Sequence, residues 1–82
     1  MKRKKVDDFD WHPDFAASGK RHRAFYPHLV FNHPVKYTLC AYEDGRYFID
    51  YEGVTFASGT AKTLKQAKSI TVILFNHDRA TR

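Results

Sequence analysis

The sequence has a single cysteine and no long apolar run. Cys40 has no partner for an intramolecular disulfide, which favours a reducing compartment. No apolar run is longer than Val72–Phe75, whereas a membrane-spanning helix needs about 20 apolar residues. The basic residues that follow Met1 do not lead into the apolar core of a secretory signal peptide. We therefore expect a cytoplasmic protein that has no membrane partner.

Motifs that identify a reaction or a metal site are also absent. The chain has no Cys-x-x-Cys or His-Glu-x-x-His pattern and no glycine-rich phosphate loop. Cys40 lies in a predicted strand, where a free cysteine behaves as a small apolar residue. His28 and His33 flank a possible edge strand and could approach each other, but irregular spacing favours surface or turn positions for all five histidines: His12, His22, His28, His33 and His77. We expect no enzymatic activity, no cofactor and no metal.

The composition is that of a small folded domain with excess positive charge. The chain has 82 residues, 43% of them hydrophobic and 16% aromatic, and a net charge of +5. This length allows one domain. Half of the basic residues lie in residues 1–23, which have few aliphatic side chains but include Phe9, Trp11 and Phe15. We interpret residues 1–23 as a basic arm that docks on the folded part or on a partner, and residues 24–82 as one small α+β domain.

The pattern after residue 23 predicts an antiparallel sheet. Asp44-Gly45 is a strong hairpin signal, and Glu52-Gly53 is a weaker one. Any strand that contains Pro27 must lie at a sheet edge, because proline cannot donate to a ladder. The strands are expected within residues 24–32, 36–42, 46–51 and 54–57.

A helix is predicted after the last turn. Thr63 and Gln66 have the spacing of a capping box, so the helix is expected over residues 64–77. The β-branched residues in Ile70–Phe75 leave a strand after a short helix as the alternative. The expected fold is therefore α+β, with a three- or four-stranded antiparallel sheet packed by one C-terminal helix and a basic N-terminal arm.

Two-residue turns in both hairpins define the expected sheet faces. One face, against the helix, carries Cys40, Tyr42, Tyr47, Ile49, Tyr51, Val54 and Phe56. The other face carries Tyr37, Leu39, Ala41, Phe48, Asp50, Thr55 and Ala57. Since the second face is more apolar than a solvated face, we expect it to be covered.

The helical wheel leaves two apolar residues outside the apolar arc. Val72 lies beyond that arc and Ile73 lies in the middle of the polar side. Either Ile73 is a lone exposed apolar residue, or Ile73 and Val72 contact the aromatic arm or a second subunit.

The order of elements resembles that of small DNA-binding domains. The segment Phe56–Lys68, with Thr-Leu-x-x-Ala-Lys at residues 63–68, is similar to the strand-to-helix junction of the arm-type N-terminal domains of phage tyrosine integrases, of plant AP2-type domains and of small phage-encoded proteins. The layout is shared over residues 36–77. The resemblance implies that the first hairpin enters the DNA major groove, although the chain departs from the pattern by lacking Lys and Arg between Tyr37 and Tyr42. It implies no recombinase activity, because no integrase catalytic domain is present.

Clustered positive charge favours a nucleic-acid partner. Basic side chains neutralise phosphates and release counterions, and lysines at a helix start add to its attraction for anions. Ordinary solubility charge is the alternative explanation for the helix lysines. We expect a non-enzymatic, phage-like accessory protein that binds DNA in preference to RNA. The candidate contacts are Lys2, Arg3, Lys4, Lys5, Lys20, Arg21, Arg23, Lys36, Arg46, Lys62, Lys65 and Lys68.

The alternative is a protein-binding module, such as a small inhibitor or adaptor of a host protein. Aromatic anchors dominate such interfaces, and the apolar sheet face would supply them. A homodimer would satisfy the same surface. The candidate contacts are Trp11, Phe15, Tyr37, Leu39, Phe48 and Ile73.

Overall fold

The computed structural model describes residues 3–27 and 34–82. Within these ranges the chain forms one 3₁₀ turn, five strands and one helix. The bounds are Val6–Asp8 for the 3₁₀ turn, His12–Ala16 for β1, Gly19–Tyr26 for β2, Tyr37–Tyr42 for β3, Arg46–Tyr51 for β4, Val54–Thr60 for β5 and Leu64–Thr81 for α1.

The α+β fold is confirmed, but the described sheet has five strands rather than three or four. Neighbouring strands are antiparallel, in the order β1-β2-β3-β4-β5. β1 and most of β2 come from the expected basic arm, so the boundary placed at residue 23 falls inside β2. These strands carry charged and polar side chains without the apolar alternation from which strands are predicted. β2 ends at Tyr26, directly before Pro27, and it is an inner strand because β1 pairs with it.

The expected register of the first hairpin is wrong by one residue. Leu39 pairs with Ile49, and Cys40 pairs with Phe48. The loop has three residues because Gly45, with φ of 100°, ends a turn in which its N–H donates to the carbonyl of Tyr42 at 3.0 Å. A turn followed by a left-handed glycine is the common three-residue hairpin loop.

The second hairpin has the expected turn but an irregular strand. Tyr51 pairs with Val54 across Glu52-Gly53, as predicted. A β-bulge follows, so that Ile49 pairs with Ala57 instead of the expected Phe56. The bulge adds one residue to β5, and no feature of the sequence indicates it.

The change of register reverses the roles of the β3 side chains. Tyr37 and Leu39 face α1, where they form the core with Ile49 and Phe75. Cys40, expected beneath the helix, lies on the opposite face of the sheet, which we call the outer face. A one-residue slip moves every side chain of a strand to the other side.

A continuous helix is confirmed over the segment for which a strand was the alternative. α1 runs to Thr81, four residues beyond its expected end. Val72 is 4% exposed and belongs to the same core cluster as Phe9, which lies in the N-terminal segment. Ile73 is 61% exposed. No helix in the described ranges is long and apolar enough to cross a membrane.

Candidate nucleic-acid interface

Residues 3–11 lie against the folded part of the chain. The ring of Phe9 is 8% exposed and meets the ring of Phe75 edge-on, with 5.2 Å between centroids. The indole N–H of Trp11 donates to the carbonyl of Val6 at 3.0 Å. The Lys68 ammonium lies 5.1 Å from the centre of the Trp11 ring. These contacts dock the N-terminal segment on its own helix.

Asn76 holds the backbone of this segment beside α1. Its Oδ1 accepts from the N–H of Lys4 at 2.9 Å, and its Nδ2 donates to the carbonyl of Lys4 at 2.8 Å. The side-chain amide thereby satisfies a backbone donor and acceptor in the way that a neighbouring strand would. Because both bonds are to the backbone, the basic side chains of residues 3–5 remain available at the surface of α1.

Two basic clusters that are far apart in the sequence adjoin along α1. One groove runs between residues 3–6 and the middle of the helix, and an adjoining groove runs between Val6 and the first turns of the helix. Val6 and Ser69 line both grooves, and Asp7 lines the second. We call the cations that line these grooves the basic band: Arg3, Lys4, Lys5, Lys65 and Lys68.

The basic band is free of ion pairs within the described part of the chain. Lys4 and Lys68 contact aromatic rings instead, with Lys4 Nζ 5.8 Å from the centre of Tyr26. An aromatic ring attracts a cation without cancelling its charge. The band therefore keeps its positive charge for an external anion.

The arginines of β2 share one carboxylate within the sheet. Arg21 Nε donates to Asp14 Oδ1 at 2.7 Å, and Arg23 Nη2 donates to Asp14 Oδ2 at 2.6 Å. The hydrogen bond from Arg21 holds the pKa of Asp14 below its usual range. Arg23 Nε is buried and has no partner among the described residues. Both arginines are thus held by β1 and are poorly placed to meet a phosphate.

Two further candidate cations are paired near the β3–β4 loop. Lys20 lies 3.7 Å from Glu43, and Arg46 Nε donates to Asp44 at 2.7 Å. Hydrogen bonds from the backbone and side chain of Arg46 lower the pKa of Asp44. The Arg46 guanidinium also stacks 4.4 Å from the centre of the Tyr42 ring. These exposed pairs reduce the net charge available to a ligand at this end of the sheet.

Lys36 and Lys62 do not line either of the two grooves. Lys2 lies outside the described residues. Lys36 precedes β3, and its carbonyl accepts from the N–H of Glu52 at 2.7 Å. The helix cap is confirmed, since Gln66 N–H donates to Thr63 Oγ1 at 3.1 Å. The Gln66 side chain reaches back to the N–H of Lys62, at 3.0 Å, rather than to that of Thr63. Lys62 is therefore fixed by its backbone just before α1.

The outer face of the sheet carries Cys40 beside the β2 arginines, directly across from Arg23. Cys40 is fully buried and pairs with Arg23 across the strands. Burial raises the pKa of its thiol to about 11, although Arg21 and Arg23 act in the opposite direction. The thiol is therefore protonated at neutral pH.

The residues expected to bind a protein do not share one surface. Tyr37 and Leu39 are 3% and 0% exposed, so the expectation that they form an exposed face is corrected by the hairpin register. Trp11 packs against the core, and Phe48 lies half-buried on the outer face. The two that are well exposed are Phe15 (79%) and Ile73 (61%).

Two of the three described histidines each contact one acid. His12 lies 3.4 Å from Asp10, and His22 lies 3.3 Å from Glu43. In residues 3–27 and 34–82 no three His, Cys, Asp or Glu side chains converge in a group that could hold a metal. The possible approach of His28 to His33 falls outside the described residues.

Sequence reasoning missed two residues that shape the surface. Asp14 lies in a polar segment after Pro13, and only its register opposite Arg21 shows that it pairs with the β2 arginines. Asn76 lies on the polar side of the helical wheel, where its bonds to Lys4 have no local signal. Comparison of the chain with known protein families, with curated proteins and with solved structures found no match.

Proposed function

We propose that this protein binds the phosphate backbone of nucleic acid through the basic band. The observation that carries the proposal is that some of its basic residues form ion pairs with acids and others do not. The basic side chains of residues 3–5 and of the first turns of α1 adjoin and form no ion pair in the described chain, whereas the candidate cations of β2 and β4 are paired. Unpaired, clustered cations attract a polyanion most strongly.

The arrangement supports binding that is independent of sequence. Phosphate contacts position a protein on nucleic acid, whereas base-edge contacts provide specificity. The β3–β4 hairpin, which the resemblance places in the major groove, presents Cys40 and Phe48 on its outer face, and Arg46 there is tied to Asp44. Readout normally needs Arg, Lys, Asn or Gln that are free to meet base edges. We propose a non-enzymatic accessory role in which DNA is the preferred partner.

A protein-binding role has less support. The burial of Tyr37 and Leu39 removes two of its expected anchors, and Trp11 is used within the fold. Phe15 and Ile73 remain exposed, but they lie on β1 and α1 rather than in one contiguous hot spot.

Salt-dependent fluorescence anisotropy tests the proposal. Labelled duplex DNA, single-stranded DNA and RNA of the same sequence are titrated at several salt concentrations. If all five band cations contact phosphates, log K against log salt has a slope of about −4.5 for duplex DNA, since each contact contributes about −0.9. We expect micromolar binding at low salt and duplex DNA preferred to RNA.

Two charge-matched variants locate the site. Lys5→Gln/Lys65→Gln removes two cations of the basic band, and Lys20→Gln/Lys36→Gln removes two cations elsewhere, so both change the net charge by the same amount. We expect the band variant to reduce the slope by about 2 and the control to leave it nearly unchanged. Equal losses in both variants would mean that net charge, not the band, drives binding. Absence of binding by the unchanged protein at low salt would refute the function.

A further inference from the structure

Residues 3–5 are held beside α1 by hydrogen bonding more than by burial. Their side chains are exposed or half-buried, whereas burial of an aromatic ring begins at Phe9. Both ends of the Asn76 amide bond the backbone of Lys4, at 2.9 and 2.8 Å. A side chain that is remote in the sequence therefore positions three cations of the basic band.

The docked position of this segment brings like charges together. Residues 3–5 are three consecutive cations, and the adjoining grooves place them on the same side of α1 as Lys65 and Lys68. Asp7 is the acidic residue that lines these grooves. Positive side chains that adjoin without matching acids repel one another. Docking is therefore less stable in the free protein than when an anion lies among the cations.

Docking also lowers the free-energy cost of binding. A flexible basic segment can neutralise the same number of phosphates, but the loss of its conformational entropy then opposes binding. When Asn76 fixes the backbone of Lys4 beforehand, this entropy is already lost on folding. Anion binding and docking of the segment therefore favour each other, because the coupling between two equilibria is reciprocal.

We propose that Asn76 is the positioning residue of the basic band. It fixes the backbone of residues 3–5 in the conformation that meets phosphates, and a bound polyanion in turn stabilises the two bonds between Asn76 and Lys4. This role rests on the proposed binding of nucleic acid. Removal of the Asn76 amide should therefore weaken binding although every cation is retained.

Asn76→Ala tests this role, with His77→Ala as the control. His77 is the next residue of α1, is exposed and lines neither groove. In fluorescence anisotropy with duplex DNA at one low salt concentration, we expect the dissociation constant of Asn76→Ala to rise about 5- to 20-fold and that of His77→Ala to stay within about twofold. The slope of log K against log salt should change by less than about 1 for Asn76→Ala, because no cation is removed. Thermal unfolding checks that both variants are folded.

Amide hydrogen exchange at Lys4, followed by NMR, measures docking directly, because this N–H donates to Asn76 Oδ1. Saturating duplex DNA should slow the exchange by about threefold or more in the unchanged protein. Without nucleic acid, Lys65→Gln should slow it about twofold, because this change removes a repelling charge from the second groove. Lys62→Gln removes an exposed charge outside both grooves and should leave the exchange unaltered.

The outcomes separate the positioning role from the proposed function. If the unchanged protein does not bind DNA at low salt, both are refuted. If it binds, the positioning role alone is refuted by a dissociation constant of Asn76→Ala within about twofold of the unchanged protein. Equal losses in Asn76→Ala and His77→Ala, or exchange at Lys4 that DNA leaves unaltered, would refute it as well.

Discussion

Replacing Phe9 with alanine tests whether the N-terminal segment belongs to the fold. If the segment were a detached arm, this change would leave the free energy of unfolding unaltered, because the aromatic side chains of the segment would be solvated in both the folded and the unfolded protein. In the structure Phe9 is 8% exposed and packs edge-on against Phe75. Phe15 lies in the same part of the sequence but is 79% exposed, so Phe15→Ala is the same chemical change without loss of burial.

The burial of Phe9 predicts a large effect. An aromatic side chain buries about 150–250 Å², which at about 25 cal/mol per Å² corresponds to about 4–6 kcal/mol as an upper bound. Measured Phe→Ala changes in cores are about 3–5 kcal/mol. Because Phe9 keeps 8% of its surface exposed, we expect a loss at the lower end of this range, about 3 kcal/mol, for Phe9→Ala. Phe15→Ala should stay within about 0.5 kcal/mol.

Urea unfolding followed by Trp11 emission measures this difference. With a slope of about 1.5 kcal/mol per M for a small domain, the midpoint of Phe9→Ala should fall by about 2 M. Far-ultraviolet circular dichroism, as a second probe, separates global unfolding from detachment of the segment. A loss below about 1 kcal/mol for Phe9→Ala, or equal losses for the two variants, would refute the docked position of residues 3–11.

Two further predictions concern the core hydroxyl and the turns. Burial, with the hydrogen bond from Tyr37 to Asp78 at 2.6 Å, raises the pKa of Tyr37 to about 12. The stability that this shift contributes below pH 10 should therefore be lost as the pH rises towards 12. Tyr37→Phe should flatten this part of a plot of the free energy of unfolding against pH. Gly45→Ala should destabilise by about 2 kcal/mol or more in urea unfolding, because a Cβ would collide with the carbonyl of Ala61 and φ is 100°. Gly53→Ala, with φ of 83° and open space, should cost only about 1 kcal/mol, and equal costs would show that the collision is relieved.

The sequence predicted the elements with strong local signals. Asp44-Gly45 marks a hairpin, Glu52-Gly53 marks the next turn, and Thr63 caps the helix, as expected. Each signal depends on a few adjacent residues whose backbone conformation or hydrogen bonding is restricted. The helix persists through the β-branched residues of Ile70–Phe75 because Thr71, Val72 and Phe75 bury their side chains against the sheet and the N-terminal segment.

The register and the first two strands could not be predicted in the same way. Whether the Asp44-Gly45 loop has two or three residues decides which side of β3 faces the helix, and both loops suit the same sequence. β1 and β2 depend on pairing with each other and with β3, where Asp14 meets Arg21 and Arg23. No window of neighbouring residues contains that information.

For the candidate site, the number of positive charges and the absence of recognised catalytic and metal-binding motifs follow from the amino-acid sequence alone. Which of these charges are available to a ligand depends on how the chain folds. The fold pairs the arginines of β2 and β4 with Asp14 and Asp44, and it brings residues 3–5 beside Lys65 and Lys68 through the packing of Phe9 and the bonds of Asn76. Composition is a property of the chain, whereas ion pairing depends on distances between side chains that are remote in sequence, and packing of the core sets those distances.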